Sequence, residues 1–513
     1  MANSVERVLA AAVQGQARSP RFIQKQLSKL HAALTKDGLA IRTTIKSETK
    51  HSTAEVEVQY ALTLEAVAAL FAQIDDLEQA LREEYHLARL ENSPSHKVPY
   101  SIVYIVPSRY NLFYSCVTAV AAAIAAGNCV ILELAQTTSR ISEVVQKTLS
   151  NTLDRDTFTT VDTRIDLETL PKGSVRLFGD GDGANPSRTD LVPPSTRSIA
   201  IVDRAANTRE AAAAVLRARF SFAGQSPLAP DVVLVNEFRL KEFCTSVAEL
   251  TSKYLAAQFE GGVGANGSTG AGAGAGAGRS PPATATKISS TELQQAGAEI
   301  LVSGSKGAVA RIGIDDRKSP LLRKPIREPL LLIHPVRSVD DAIDFANADG
   351  GGGGSSGSGL GGEPLAALYT FGPPEVAKYL SQFVDARVSC ANDIPVELVG
   401  APATPVGHAT QLGGAGPYSM GIFSVPKPEY IRYDAKFSNL GKLLDGNDVE
   451  GAMQARRAAE ALNITVKQPP GHAIGFFEQG LLLGGSILLT TVVAGNVLFW
   501  KYGMPAIAKR VRH

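Results

Sequence analysis

Short apolar runs alternate along the chain with amphipathic stretches, and this alternation predicts an α/β fold. The runs that read as strands are SIVYIVP, GNCVILEL, SVRLFG, RSIAIVD, DVVLVN and PLLLIHPV. Helical periodicity is clearest in PRFIQKQLSKLHAALTKDG. Because strands separated by helices need crossover connections, we expect a largely parallel sheet, a class that often binds nucleotides at the carboxyl ends of its strands.

A different hydrophobic pattern lies near the carboxyl end, where residues 480–500 read GLLLGGSILLTTVVAGNVLFW and carry no charge. As a helix this stretch is long enough to cross a hydrocarbon core of about 30 Å. Trp500 and Tyr502 stand at its far edge, where amphipathic rings favour the interface, and they are followed by Lys501, Lys509, Arg510 and Arg512. The pattern predicts one transmembrane helix and a basic tail, with a buried core helix as the alternative.

The position of this helix suggests how the chain is oriented in a membrane. The amino terminus lacks the long apolar centre of a secretory signal. Because only thirteen residues follow Trp500, we expect the helix to insert after synthesis is complete and to leave the main domain in the cytosol. A hairpin that returns both ends to the cytosol is the alternative, with Gly484, Gly485 and Gly495 as places where it would bend.

Two glycine-rich segments interrupt the pattern, at residues 261–282 and 349–364. They hold too few large apolar side chains to offset the entropy lost on ordering, so we expect mobile surface loops. A phosphate-binding loop is the alternative, but such loops place single glycines between a strand and a helix.

Composition narrows the class of protein. With 513 residues, 44% of them hydrophobic, the chain is long enough for two or more domains. A net charge of +1 without a basic stripe argues against nucleic acid as a partner. The four cysteines are widely spaced, which argues against a disulfide framework, and neither they nor His31, His86 and His408 have the spacing of metal ligands.

Five blocks, some of which contain the strand runs above, carry a specific resemblance in their order along the chain: AAAIAAGNCVILE, RSIAIVD, FAGQSPLAPDVVLV, LAALYTFG and GGAGPYSMG. From about Phe22 to Gly421 the chain resembles the aldehyde dehydrogenase superfamily, and most of all its membrane-anchored fatty-aldehyde branch. The resemblance implies a Rossmann-type parallel sheet domain plus a second α/β domain. It also implies pairing into a homodimer and favours the endoplasmic reticulum over other organelles.

Domain limits follow from the resemblance and the hydrophobic pattern together. We predict a nucleotide-binding-like domain at 1–203 and a catalytic-like domain at 204–410. An oligomerisation-like and connecting segment at 411–479 would lead to the transmembrane helix at 480–500 and the tail at 501–513.

The resemblance also implies a site for covalent catalysis, with a cysteine nucleophile, an asparagine for the oxyanion and a glutamate base. The nucleophile follows Gly-Gln-X, which places it at Pro227. The asparagine position falls in SRYN and is Arg109, and the glutamate position falls in PPSTR and is Pro193. None of the three carries the group that the chemistry needs.

Cofactor positions depart in the same way. The lysine that reaches the adenosine ribose corresponds to Glu133, which reverses the charge. A second ribose contact corresponds to Pro325 in PIREP, where Arg327 also replaces a phenylalanine. No cofactor is therefore expected, although NAD(P) would be required if the chain were active.

These departures predict a membrane-anchored pseudoenzyme that acts as a scaffold or binds a partner or a lipid-like or aldehyde ligand. Two alternatives stay open. One is NAD(P)-dependent oxidation of fatty aldehydes with relocated catalytic groups. The other is a hydrolase that uses Ser226, although no G-x-S-x-G elbow surrounds that residue; Cys116 and Cys244 are weaker candidate nucleophiles.

Overall fold

The computed structural model describes residues 2–75, 88–92, 96–134, 139–181, 187, 189–255, 290–304, 306–348, 364–410, 412–414, 416–427, 435–445, 447–462, 464 and 475–503. Outside these residues lie three sequence-based predictions: those for the glycine-rich segments 261–282 and 349–363, for His86, and for the tail from residue 504 onward, with Lys509, Arg510 and Arg512. The chain divides into two compact units, Met1–Arg432 and Tyr433–His513.

The α-helices span Ala2–Gln14, Pro20–Lys36, Gly38–Glu48, Thr53–Asp75, Leu112–Ala125, Arg140–Thr152, Thr208–Phe220, Leu240–Leu255, Ser290–Gln295, Val339–Asn347, Pro374–Phe383, Val396–Gly400, Ala435–Asp445, Val449–Glu460 and Phe476–Leu498. The helix predicted over PRFIQKQLSKLHAALTKDG is confirmed as Pro20–Lys36. It begins with proline at a position where the missing N–H sacrifices no helical hydrogen bond.

The strands are β1 (Lys97–Pro99), β2 (Ile102–Val106), β3 (Cys129–Glu133), β4 (Phe158–Val161), β5 (Val175–Phe178), β6 (Asp190–Leu191), β7 (Ser198–Val202), β8 (Val232–Asn236), β9 (Ala298–Gly304), β10 (Gly307–Ile312), β11 (Leu330–Val336), β12 (Ala367–Phe371), β13 (Ser389–Ala391) and β14 (Ser424–Pro426). Each of the six apolar runs that predicted a strand lies on one of them, namely on β2, β3, β5, β7, β8 and β11.

The first sheet has the order β4-β3-β2-β5-β6 and is parallel throughout. Its central strand β2 pairs with β3 on one side and β5 on the other. The wholly buried helix Leu112–Ala125 covers one face of the sheet, and Ala2–Gln14 covers the other. Because both faces are covered, these strands read in the sequence as continuous apolar runs.

The second sheet has the order β13-β12-β7-β8-β11-β10-β9. Its neighbours are parallel except for β9 and β10, which form an antiparallel pair. Helix Thr208–Phe220 and helix Leu240–Leu255 contribute to its core. A third, two-stranded sheet pairs β1 with β14. The expectation of a largely parallel α/β architecture is therefore confirmed.

The predicted domain limits at 203 and 410 stay predictions. The chain leaves the first sheet at Leu191 and enters the second at Ser198. Both sheets belong to the unit Met1–Arg432.

In the second unit, helices Ala435–Asp445 and Val449–Glu460 pack against each other. The apolar helix predicted at 480–500 begins earlier, at Phe476, and ends at Leu498, followed by a π turn over Phe499–Gly503 that includes Trp500. Among the described residues, one helix, Glu478–Lys501, is long and apolar enough to cross a membrane.

Candidate functional site

Arg109 and Asp180 meet at the carboxyl ends of two neighbouring strands, β2 and β5. The Arg109 Nε lies 2.8 Å from Asp180 Oδ2, and the Arg109 backbone N–H also donates to that carboxylate. Ser108 Oγ donates to Asp180 Oδ1 at 2.7 Å. The cation that the resemblance places at the oxyanion position is therefore bonded to a carboxylate, and Asp180 was not predicted.

The two strand ends approach too closely for a side chain between them. A Cβ added at Gly179 would lie 2.2 Å from the backbone nitrogen of Ser108. The glycine thus allows the contact that brings Asp180 to Arg109.

The loop that carries Pro227 begins with three residues of left-handed backbone. Phe222, Ala223 and Gly224 have φ angles of 51°, 56° and 70°, a conformation that is unfavourable for residues other than glycine. At Gly224 an added Cβ would lie 2.4 Å from the nitrogen of Pro329, so only glycine fits there. Surrounding contacts must hold this strained turn in place.

One of those contacts comes from Glu55, near the start of helix Thr53–Asp75. Its Oε1 accepts the Phe222 N–H at 2.8 Å, and its Oε2 accepts the Ser52 N–H at 2.6 Å. The ring of Phe222 is buried and meets His51 edge to face. An amino-terminal helix therefore fixes the turn before Pro227.

A second set of contacts comes from Arg219, whose guanidinium is fully buried. It forms an ion pair with Asp231 and donates to the backbone carbonyls of Gly224, Ala229, Pro230 and Ile326. Burial lowers the pKa of Arg219, and the adjacent Asp231 opposes that effect. The loop is thus clamped on both sides of Pro227.

Pro227 itself is partly buried, and its carbonyl accepts a hydrogen bond from Ser198 Oγ at 3.4 Å. Arg327 also lies at this loop, with its Nη1 3.8 Å from Asp231 Oδ1. Arg327 thus lies beside the buried ion pair of Arg219 and Asp231, and Arg219 also holds the loop that carries Pro227.

Ser226 is fully buried, which bears on the hydrolase alternative. Its Oγ accepts the Leu228 N–H at 3.3 Å and lies near the Tyr110 hydroxyl, whose pKa it lowers against the larger effect of burial. Neither contact is with a histidine or a carboxylate able to take the serine proton. Tyr110 in turn donates to the carbonyl of Val399, and burial raises its pKa.

The general-base position, Pro193, lies between β6 and β7 and is partly buried. Its carbonyl is 4.0 Å from where a Cβ on Gly181 would stand, so it runs beside the loop of Asp180. The residue has no ionisable atom, and the base that the resemblance implies is absent from this position.

Glu133 ends β3, and only 1% of it is exposed. The hydroxyl of Tyr104 donates to its Oε2, and Arg164 Nε lies 3.3 Å from the same oxygen. Burial, followed by the hydrogen bond with Glu133, raises the pKa of Tyr104. The carboxylate is thus buried and bonded to Tyr104 on the neighbouring strand β2 and to Arg164 after β4.

Pro325, the other ribose position, is partly buried and lies before β11. It lacks a hydrogen-bonding side chain. Together with Glu133 it leaves both ribose positions without the group that the resemblance implies.

The cysteines offer no activated thiol. Burial raises the pKa of Cys116, raises that of Cys129 to about 12 and that of Cys390 to about 11, and also raises that of Cys244. A nucleophilic cysteine needs the opposite shift. Within the described part of the chain, no group of three or more potential metal ligands occurs either.

Comparison with known proteins agrees with the architecture. Residues 195–357 match the profile of the aldehyde dehydrogenase family. Coniferyl aldehyde dehydrogenase of a Pseudomonas species is 28% identical over 338 residues, which are 62% of this chain and 66% of that protein, just under two thirds of its length. The 4,4'-diaponeurosporen-aldehyde dehydrogenase of Staphylococcus aureus is 26% identical over 31% of this chain and 37% of its own length.

Among solved structures, the fold is similar to that of a Pseudomonas syringae aldehyde dehydrogenase complexed with NAD+ and octanal. The TM-score is 0.61 at 16% identity, and the match covers 84% of this chain and 89% of that one. At this identity the likeness concerns the fold alone.

Proposed function

Because the chain belongs to the aldehyde dehydrogenase superfamily, we propose that it is a membrane-anchored member that has lost aldehyde oxidation and acts as a scaffold or ligand-binding protein. The observation that carries this proposal is Pro227 at the nucleophile position. Proline has no atom that can attack a carbonyl carbon, and the clamped loop around it offers no substitute.

The remaining positions support the same proposal. Each residue that stands for a catalytic group either has no functional group or is bonded within the protein. Pro193 is an example of the first kind and Arg109, bonded to Asp180, is an example of the second. Covalent catalysis and the activation of water would therefore fail together.

The residues at the cofactor positions do not fit NAD(P). The Glu133 carboxylate is buried and bonded to Tyr104, and Pro325 offers no acceptor for a ribose hydroxyl. Two enzymes of similar fold were solved with a bound nucleotide, the Pseudomonas syringae enzyme with NAD+ and a Streptococcus pyogenes succinic semialdehyde dehydrogenase with NADP+. In this chain we assign no hydride-transfer step to the site, and we expect weak or no binding of either nucleotide.

Anchoring is proposed from the apolar helix Phe476–Leu498. Its length and composition suit a single span, and Lys501 follows it. We place the main domain in the cytosol and favour the endoplasmic reticulum. A homodimer, paired through residues 403–421 as the resemblance implies, is part of the same proposal, and sedimentation of the full chain in detergent as a monomer would contradict it.

Nucleotide binding to the full chain in detergent tests the proposal against the active alternative. Isothermal titration with NAD+ and NADP+ should give no saturable signal. Tight binding of either nucleotide, together with reduction of that nucleotide that depends on added aldehyde, would establish that an active site persists with relocated groups.

A further inference from the structure

The two helices before the apolar helix leave an apolar face uncovered. The exposed side chains recur at helical spacing, on Ala435–Asp445 at Phe437, Leu440 and Leu444, and on Val449–Glu460 at Val449 and Met453. Leu444 is 82% exposed and Phe437 is 64% exposed. Exposed apolar side chains grouped in this way mark an interaction surface.

Contact between the two helices uses other residues. A Cβ added at Gly451 would lie 2.7 Å from Leu443 Cδ2, so the helices touch at that point, and Leu443 and Ala455 are partly buried. Beside this contact runs an open groove of about 440 Å³, lined by Leu440, Gly441, Leu443, Leu444, Ala452, Ala455 and Arg456. The exposed apolar residues are therefore left over after the hairpin has packed.

The position of the hairpin in the chain identifies what covers this face. Residues 461–475 connect it to the apolar helix, and fifteen residues span at most about 50 Å when fully extended. Leu462 and Ile464, on this connection, are 61% and 96% exposed, so further apolar side chains stand in solvent between the hairpin and the apolar helix in the sequence. A bilayer that holds the apolar helix is thus within reach of the hairpin.

We propose that the hairpin, residues 435–460, lies in the interfacial layer of the same bilayer with Phe437, Leu440 and Leu444 buried among the lipids. The inference rests on the membrane anchoring in the proposed function. An amphipathic helix in this layer buries its apolar face by about 5–10 Å. Arg456, at the edge of the groove, and Arg457 next to it have stems long enough to reach the headgroups.

The chain has a single tryptophan, Trp500, and this makes the proposal testable by fluorescence. The full chain is reconstituted into vesicles of phosphatidylcholine and phosphatidylserine whose acyl chains are either brominated or plain. Quenching of Trp500 in the unmodified chain reports the anchor alone. Two variants in a Trp500→Phe background report the hairpin: Leu444→Trp on the apolar face, and Asn439→Trp on the opposite face as the matched control.

We expect brominated lipid to quench Leu444→Trp by a fraction similar to that for Trp500, with emission shifted to the blue. Asn439→Trp should stay unquenched. If brominated lipid quenches Trp500 but not Leu444→Trp, the inference is overturned and the anchor stands. If it quenches neither tryptophan, the anchor is overturned as well. Blue-shifted, unquenched emission from Leu444→Trp that shifts to the red when the protein is reconstituted at a lower protein-to-lipid ratio would assign the face to a second copy of the chain instead. Circular dichroism of each variant confirms that it is folded.

Discussion

The Arg219 guanidinium lies 2.9 Å from the Asp231 carboxylate, and the two side chains are 0% and 2% exposed. This ion pair joins helix Thr208–Phe220 to the start of β8, and the loop with Pro227 runs between them. The backbone carbonyls of that loop take most of the remaining donors of Arg219. The loop around Pro227, the position that the resemblance assigns to the nucleophile, is thus tied to a buried ion pair.

Replacing Arg219 with methionine should destabilise the protein by about 3–5 kcal/mol, because the buried Asp231 carboxylate loses its nearer counter-charge and keeps only the more distant Arg327. Denaturant unfolding of the full chain in detergent measures this change. The matched control is Arg209→Met, which breaks an exposed pair with Glu249 and should cost less than about 1 kcal/mol. Equal effects from the two substitutions would contradict the clamp.

Replacing Glu55 with alanine should lower stability by about 1–3 kcal/mol, because the Phe222 N–H loses its acceptor. The amide hydrogen of Phe222 should also exchange faster with solvent. Glu57→Ala, two residues along the same helix, removes an exposed partner of Arg42 and serves as the control. Unchanged exchange at Phe222 in Glu55→Ala would show that the turn is held by other contacts.

Stability should fall as the pH drops below about 6.5, the ordinary pKa of histidine. Burial lowers the pKa of His51, His334 and His408 in the folded protein. At His51 the nearby Glu55 carboxylate raises the pKa and opposes part of this effect. The unfolded chain then binds more protons, so this contribution is present above pH 6.5 and is lost toward the lowered folded pKa. Melting curves of the wild type and of His51→Gln between about pH 7 and 5 test it: the variant should lose less stability than the wild type, and parallel curves would exclude His51.

Ending the chain before Phe476 should move the protein from a carbonate-resistant membrane fraction to the soluble fraction. Replacing Leu481, Leu482 and Leu483 with lysine should do nearly the same, because three charges would then lie within the apolar span. A single charge costs about 2.5–3.5 kcal/mol at the centre of a span on insertion scales, and less toward its ends. A truncated chain that stays with the membrane after carbonate washing would show that another surface is sufficient to hold it.

The strands were predictable because a strand that is buried on both faces has a continuous run of apolar residues, as in residues 102–106 and 129–133. For the candidate site, the sequence predicted positions, and these stay predictions; it did not predict the contacts around them. Which group holds Arg109 depends on Asp180, 71 residues away, and which group holds Phe222 depends on Glu55, 167 residues away. Such partners follow from the crossing of strands and helices and have no local signal in the sequence.

The backbone conformation before Pro227 could not be predicted from the sequence either. Phe222 and Ala223 adopt left-handed φ angles that their side chains disfavour, and only tertiary contacts override that preference. The antiparallel pairing of β9 with β10 was likewise not foreseen, because the apolar pattern predicted strands for a largely parallel sheet.

Restoring a thiol at residue 227 tests whether the nucleophile is the sole loss. Pro227→Cys should give little or no aldehyde oxidation, because Pro193 still provides no base and Glu133 and Pro325 still occupy the ribose positions. Acylation of the new thiol by an activated ester would check separately that it is accessible. Efficient turnover by this single variant would show that the other positions matter less than their chemistry implies.

The most direct test of the central claim is aldehyde oxidation by the unmodified full chain in vesicles. Formation of NADH or NADPH is followed with medium- and long-chain aldehydes. Loss of the nucleophile and the base together should raise the activation barrier of aldehyde oxidation by roughly 5 kcal/mol or more, and each 1.36 kcal/mol is tenfold in rate. We therefore expect no reduction of NAD+ or NADP+ that depends on the protein. Turnover at rates ordinary for an enzyme, about 1 per second or faster, would contradict the account.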